Sequence, residues 1–221
     1  MSFIIPFFKK LHFLIIINLI TCTKMSILRL QLPTDPRWAN IVEENLEDIL
    51  SDHAWCEQKA ATNAIMLIIN NAEKEDLVTE MTAISIEEMQ HFQMVHDIIK
   101  ARGYEFLRER KDDYVNELAK FMKQSSDGSR TCGLIERLLF AAMIEARSCE
   151  RFKVLSENLK DEELSKFYRD LMESEAAHYT TFINLARKYA ENIDVEKRWK
   201  AWLTYEASVI AKYGEGVTVH G

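Results

Sequence analysis

The sequence that decides the fold occurs twice: residues 88–91 read EMQH, and residues 175–178 read EAAH. A single glutamate precedes each of these Glu-x-x-His pairs by about thirty residues. Glutamate and histidine three positions apart share one face of an α-helix, so both side chains of a pair reach the same centre. Two lone carboxylates and two such pairs, each on its own helix, form the ligand set of a dinuclear metal centre in a four-helix bundle. The predicted ligands are Glu57, Glu88, His91, Glu145, Glu175 and His178.

Apolar residues at helical spacing surround these six positions, and with only 6 Gly and 3 Pro the chain favours long helices. We predict helices at about 38–71, 74–102 and 130–158, a fourth beginning after Asp161, and a fifth at about 195–212. The connector at 104–129 contains a short amphipathic helix near 114–123. The length of this connector predicts a long crossover between the second and third helices, as in ferritin-like bundles. The expected fold class is therefore all-α, a ferritin-like four-helix bundle with an additional C-terminal helix.

The predicted ligands fall at core positions of these helices rather than at surface positions. An ionised carboxylate buried without a partner costs several kcal/mol, and four together repel one another. Two divalent ions would compensate these charges, and carboxylate and imidazole donors suit iron and manganese. We therefore expect a cofactor of two non-haem Fe ions, with manganese as the alternative.

Charge and cysteine content indicate which partners and which cellular compartment to expect for this protein. The formal net charge of -7 argues against a protein that coats nucleic acid with its whole surface, although it leaves room for a local basic patch. The four cysteines show no C-x-x-C spacing and are expected to be free thiols in a reducing compartment. A cytoplasmic protein is the resulting expectation.

The first 24 residues do not fit this pattern, because they contain the apolar run LIIINLI at residues 14–20. Such a run resembles the apolar part of a secretory signal, and the residues before Cys22 weakly resemble a lipoprotein cleavage site. It is short for a membrane span. We favour a non-native upstream extension, with translation from Met25 and one domain over residues 25–221.

The ligand set alone leaves several activities open. Two reduced irons have positions free for O2 and supply two electrons together, which allows hydroxylation of a substrate in an apolar pocket. A peroxidase, a ferroxidase and a manganese catalase use similar centres, and they remain alternatives. A rubrerythrin with its own electron relay would carry paired C-x-x-C motifs, which this sequence lacks. A helical interaction module with a structural metal is disfavoured, because structural sites usually have four ligands.

Three segments carry a resemblance to a known family: IEARSCERF at residues 144–152, EEMQHF at 87–92 and ESEAAH at 173–178. The chain from about residue 32 to 221 resembles the tRNA 2-methylthio-N6-isopentenyladenosine hydroxylases of the MiaE type. The resemblance implies a di-iron monooxygenase that uses O2 and two electrons from an external reductase. Its implied substrate is the isopentenyl side chain of the modified adenosine beside the tRNA anticodon. By position, the six predicted ligands match the iron ligands of that family.

A tRNA substrate would need cations and stacking surfaces on the protein. Trp199 and Trp202 are available for stacking on loop bases. The candidate tRNA contacts are Arg137, Arg147, Arg151, Lys153, Arg198 and Lys200. The alternative is that these cations pair with glutamates on their own helix faces, as surface charges usually do.

Four further polar residues are expected to have ordinary roles. His53 lies one helical turn before Glu57, and we expect an ordinary polar residue there; the alternatives are support of the metal ligand or a place in a channel. His220 is expected to face solvent. Glu87 and Glu136 lie outside the apolar seams and are predicted to be surface carboxylates.

Overall fold

The computed structural model describes residues 27–220, which contain α-helices and no strand. A short 3-10 turn at Ile27–Arg29 and an extended segment lead into the first helix. The prediction of an all-α fold is confirmed. The helices are α1 (Trp38–Glu44), α2 (Leu46–Asn70), α3 (Glu75–Ala101), α4 (Asp113–Ser125), α5 (Arg130–Asn158), α6 (Glu162–Tyr189) and α7 (Val195–Tyr213).

Two antiparallel hairpins form the bundle, because α2 packs along α3 and α5 packs along α6. Contacts at the helix ends fix how the hairpins are combined. Arg130, at the start of α5, donates to Asn70 O (2.9 Å) beside the start of α3, so α3 and α5 run in the same direction. Arg102, just after α3, donates to Asp161 (2.6 Å) just before α6, so α3 and α6 run in opposite directions. The parallel arrangement of α3 and α5 requires the crossover, and α4 lies within it.

Side-chain caps explain why the helices begin where the sequence predicts. Asp112, Ser129, Asp161 and Asp194 each accept a hydrogen bond from a backbone N–H in the first turn of the following helix. These bonds satisfy donors that have no partner within the helix. Past the end of α3, Gly103 adopts φ 71°, a left-handed conformation that glycine reaches without strain. The predicted end of that helix is therefore confirmed.

The predicted first helix at 38–71 is interrupted, which the sequence analysis did not anticipate. Asn45 has φ -135° and ψ 39°, and it separates α1 from α2. Its side-chain Nδ2 donates to Ile41 O (2.8 Å), a local bond of the kind by which asparagine competes with helical hydrogen bonding. The break lies three turns before Glu57, so α2 alone positions that ligand.

The core consists of two apolar clusters at opposite ends of the bundle. One cluster includes Leu77, Met81 and Phe182, and the other includes Val95 and Phe152. In α2, α3 and α6, the predicted ligands lie between the residues of these two clusters, and on α5 Glu145 lies near the end of the first cluster. The fold therefore places a polar layer at the middle of the bundle.

Two further sequence-based expectations concern the N-terminal segment and membranes. The interpretation of residues 1–24 as an upstream extension or signal-like segment falls outside the described residues. Among residues 27–220, no helix has the length and apolar character needed to cross a membrane.

Candidate metal centre

All six predicted ligands lie inside the bundle, on α2, α3, α5 and α6. Their residues are buried, with exposures between 0% for Glu88 and 6% for His91. Each faces the interior because it continues the apolar stripe of its helix, as the periodicity predicts.

The donor atoms form two groups that share two carboxylates. Glu57 and His91 complete one group, and Glu145 and His178 complete the other; Glu88 and Glu175 belong to both. Within each group, one donor atom from every residue lies within 4.8 Å of the others. Two carboxylates common to both groups are suited to bridge two ions, since each has two oxygens.

The contacts within the centre fit metal ligation better than internal hydrogen bonding. His178 Nδ1 lies 2.9 Å from Glu88 Oε1, yet neither atom has a hydrogen-bond partner of acceptable geometry. Glu175 Oε1 is likewise buried without a partner. Buried polar atoms without partners are costly and usually mark a bound ion or water. The donor set also matches the carboxylates and imidazoles that hold dinuclear iron in bundles.

In the metal-free protein, the two lone glutamates of the centre have opposite pKa shifts. Burial and the nearby carboxylates raise the pKa of Glu145 well above its ordinary value, although a hydrogen bond with Glu175 opposes this. Burial likewise disfavours ionisation of Glu57, but bonds from His53 and His91 outweigh it and hold its pKa well below the ordinary value. The centre is therefore asymmetric, because its surroundings favour the ionised form of Glu57 and the protonated form of Glu145.

The two histidines of the centre have raised pKa values. Burial disfavours the imidazolium of His91, but bonds to Glu57 and Glu88 outweigh burial and raise its pKa to about 10. Burial also opposes protonation of His178, but the close negative charges of Glu87 and Glu88 outweigh it and raise its pKa to about 11. In the metal-free protein, the imidazolium protons of the two histidines thus supply the positive charge among these carboxylates. Metal ions that bind here would have to displace these protons.

His53 has a larger role than the sequence analysis expected. It is fully buried, and its Nε2 lies 2.6 Å from Glu57 Oε1. The rings of Phe152 and Tyr168 pack against the imidazole, at centroid distances of 4.9 and 5.5 Å. His53 therefore orients Glu57, and its i, i+4 spacing from that ligand was the available signal.

Glu136 and His220 also differ from the sequence-based expectation, whereas Glu87 lies at the surface as predicted. The Glu87 side chain is 48% exposed, yet its Oε2 lies 3.3 Å from His178 Nε2 and its Oε1 accepts from Ser174 (2.6 Å). Glu136 is 1% exposed, and His220 is 3% exposed. None of the three lies on an apolar seam, so helical periodicity could not identify their partners.

The expected tRNA contacts at Arg147 and Arg151 need correction, because both side chains are fully buried. Arg147 binds Glu206 through Nε (2.9 Å) and Nη2 (2.5 Å), and Glu150 through Nη1 (2.9 Å). Arg151 donates to Gly214 O (2.7 Å) and packs over the ring of Trp38. These cations stabilise the packing of the C-terminal region, so neither is available to a nucleic acid.

The other candidate contacts are closer to the surface. Arg198 is partly exposed and binds Glu136 through Nε (2.7 Å) and Nη2 (3.0 Å), while Lys153 pairs with Glu157 on the same helix. Arg137 and Lys200 are exposed, and neither forms an ion pair within residues 27–220.

The tryptophans expected to stack on bases are buried as well. Trp199 is 3% exposed and Trp202 is 0% exposed. The indole Nε1 of Trp202 donates to Glu136 Oε2 (3.0 Å). Both rings belong to the core of the bundle and cannot receive a base in this conformation.

A pocket connects the metal centre to the surface on the side of α2, α4 and α5. It encloses about 500 Å³ of empty space, part of it open to solvent, and its lining is mostly apolar. Phe140, Ile144 and Phe182 lie along it, and Glu145 lies at its inner end. A smaller neighbouring cavity is lined by ligands from both groups, including Glu57 and Glu145. It shares part of its wall with this pocket, at Cys56, Ala60, Ile144, Glu145 and His220.

Sequence comparison connects this geometry to a family of enzymes. Residues 21–221 match the family described as tRNA-(MS[2]IO[6]A)-hydroxylase (MiaE). The chain belongs to this family. The match spans all four helices of the centre, so the resemblance seen in the sequence is confirmed.

Two curated relatives carry the name tRNA 2-(methylsulfanyl)-N(6)-isopentenyladenosine(37) hydroxylase. The protein from Pseudomonas putida is 34% identical over 75% of this chain and 78% of its own length. The protein from Salmonella typhimurium is 29% identical over 77% of this chain and 80% of its own length.

A solved structure has the same fold. It is called protein 43 with aldehyde deformylating oxygenase activity from Synechococcus, and it is 29% identical with a TM-score of 0.78. The comparison covers 87% of this chain and 95% of that one. The ferritin-like bundle predicted from the sequence is thereby confirmed.

Proposed function

We propose that this protein is a di-iron monooxygenase that hydroxylates the isopentenyl side chain of a modified adenosine next to a tRNA anticodon. One observation carries the proposal: an apolar pocket leads from the surface directly to a buried pair of carboxylate–histidine groups. Membership of the hydroxylase family and the names of both curated relatives support the substrate.

The six buried residues would hold the two iron ions. Glu57 and His91 would bind one ion, Glu145 and His178 the other, with Glu88 and Glu175 between them. The bound iron would supply O2 activation, using two electrons from an external reductase. This assignment follows from donor type, shared burial and the spacing of the two groups.

The pocket would orient the substrate. An isopentenyl chain is apolar and branched, and it matches a channel lined by Phe140, Ile144 and Phe182. Burial of the chain would exclude water from the inner end, where Glu145 lies. A reactive oxidant beside a dry pocket attacks the bound side chain rather than solvent.

The position of the pocket opening also indicates where tRNA would approach. Lys59 is a partly exposed residue of the pocket lining, and it pairs with Glu109 (2.8 Å). The exposed Arg137 and Lys200 are the remaining candidates for phosphate contacts from the sequence-based set. An anticodon loop presents unstacked bases, so a modified base can enter a pocket of this kind without melting a duplex.

A single experiment tests the proposal. The protein is loaded anaerobically with ferrous iron and mixed with O2, a reductant and tRNA that carries the isopentenyl modification. Digested nucleosides are then analysed by mass spectrometry. We expect a product heavier by one oxygen atom, formed only with iron.

A matched pair of variants on α5 provides the control. Glu145→Gln should abolish product, whereas Glu157→Gln, an exposed position on the same helix, should leave activity intact. Absence of product from iron-loaded, O2-reactive protein would overturn the tRNA assignment. Peroxide or ferrous iron consumption under the same conditions would then favour the peroxidase or ferroxidase alternative.

A further inference from the structure

A second cluster of metal-type donors lies on the wall of the same pocket, outside the dinuclear centre. Cys56 on α2, Asp112 before α4 and His220 in the C-terminal tail each place one donor atom within 4.8 Å of the others. All three side chains line the pocket. The cluster thus joins three segments that are far apart in sequence.

The distances in this cluster suit a tetrahedral ion better than direct hydrogen bonds. His220 Nδ1 lies 3.5 Å from Cys56 Sγ and 3.4 Å from Asp112 Oδ2. Ligands around zinc lie about 3.4 Å apart for nitrogen and oxygen, and about 3.6 Å apart for nitrogen and sulfur. A neutral imidazole carries at most one proton on Nδ1, so that atom cannot donate to the thiol and the carboxylate together.

The surroundings hold two of the three donors, His220 and Asp112, in place. His220 Nε2 lies 3.1 Å from Ser148 Oγ, which matches the outer hydrogen bond that metal-ligating histidines usually make. Asp112 uses Oδ1 to cap α4 through Val115 N (2.8 Å), which leaves Oδ2 directed at the cluster. Asp52 accepts from Val219 N (2.7 Å) and so fixes the backbone beside His220.

We propose that Cys56, Asp112 and His220 form a zinc site whose fourth position, directed into the pocket, holds water. Thiolate, carboxylate and imidazole are all donors that zinc accepts, and three protein ligands with one open position are a common zinc arrangement. The ion fastens the C-terminal tail to α2 and to the start of α4. It thereby forms part of the pocket wall one residue away from Glu57. This inference is independent of the tRNA substrate.

Cobalt substitution tests the site without relying on catalysis. Full-length protein is first loaded with ferrous iron under anaerobic, reducing conditions, and one equivalent of Co2+ is then added. A thiolate ligand produces a near-ultraviolet charge-transfer absorption, which oxygen and imidazole ligands do not. We expect this band to appear at one Co2+ per chain and to disappear when excess Zn2+ is added.

Variants assign the band to the proposed residues. Cys56→Ser should remove it, and His220→Gln should weaken Co2+ binding at least about 10-fold while retaining the thiol. Cys149→Ser, which alters a buried thiol on α5, should leave the band unchanged. Circular dichroism of each variant shows whether it is folded.

Two results would overturn the proposal. No thiolate band in folded, reduced protein would mean that the cluster only packs the tail. A band that survives Cys56→Ser would place the ion at another thiol instead. Nucleoside analysis of the same samples reports the hydroxylase activity separately, so failure of one proposal is distinguishable from failure of the other.

Discussion

Replacement of Arg147 by methionine tests whether this residue on α5 contacts tRNA or stabilises the fold. Its place among the basic residues of α5 predicts a tRNA contact, whereas the structure places it in a buried polar network. Its guanidinium binds Glu206 and Glu150 and donates to Leu32 O (3.0 Å). Arg147→Met keeps most of the side-chain volume and removes every one of these bonds.

The expected loss of unfolding free energy follows from the carboxylates that the substitution leaves without a partner. Arg147 and Glu206 are 0% exposed and Glu150 is 5% exposed, so the variant leaves two buried carboxylates without their cation. Removing one partner of a buried ion pair costs about 3–5 kcal/mol of unfolding free energy. For a chain of this size, that loss lowers Tm by roughly 6–20 °C.

Urea unfolding followed by circular dichroism measures this change. Arg137→Met on the same helix is the matched control, and its exposed position predicts a change within about 0.5 kcal/mol. Arg147→Met combined with Glu206→Leu should recover part of the loss, since an apolar pair leaves fewer uncompensated charges. A loss below about 1 kcal/mol for Arg147→Met, with weakened tRNA binding, would refute the buried assignment.

Three other predictions concern the proposed centre and its pocket. His53→Leu should reduce iron affinity about 10- to 100-fold, because Glu57 loses the partner that orients it; unchanged iron content by elemental analysis after dialysis would contradict this role. The pKa values of Glu145 and Glu175 are raised in the metal-free fold, so this fold favours their protonated forms. The resulting contribution to stability is fully present below about pH 4.5 and is lost as pH rises. The Tm gain on metal loading should therefore grow from pH 5 to pH 8, and a constant gain would show that no protons are displaced. Ala60→Phe should narrow the passage to the centre and lower nucleoside hydroxylation at least about 10-fold with iron content unchanged; full activity would mean that substrate enters elsewhere.

Helical periodicity predicts most of this fold because the polar ligands replace apolar residues without disturbing the pattern. Glu88 and His91 continue a stripe formed by Met81 and Ile84, so their burial follows from spacing alone. The break at Asn45 did not follow, since asparagine is tolerated within helices and its side-chain bond to Ile41 O leaves no mark on the apolar pattern.

Contacts between residues far apart in sequence explain the remaining differences between the sequence-based predictions and the structure. Arg147 and Lys153 are both basic residues on α5, and nothing local indicates that the first meets Glu206 on α7. Likewise, His220 follows a glycine-rich segment, and its contact with Ser148 depends on how the tail folds back. Such partners are set by tertiary packing, which periodicity within one helix does not encode.

The repeated Glu and Glu-x-x-His pattern suggests two equivalent ion positions, but His53 has no counterpart at Glu145. A carboxylate that is already ionised binds a cation without first releasing a proton, whereas a protonated one must release it. Both histidines have raised pKa values, so each position must release an imidazolium proton, and the position at Glu145 must also release a carboxyl proton. We therefore expect the position at Glu57 and His91 to fill first and the position facing the pocket to fill second. Partial iron supply would yield singly loaded protein with its vacancy beside the substrate, so two-electron chemistry begins only when the second ion arrives.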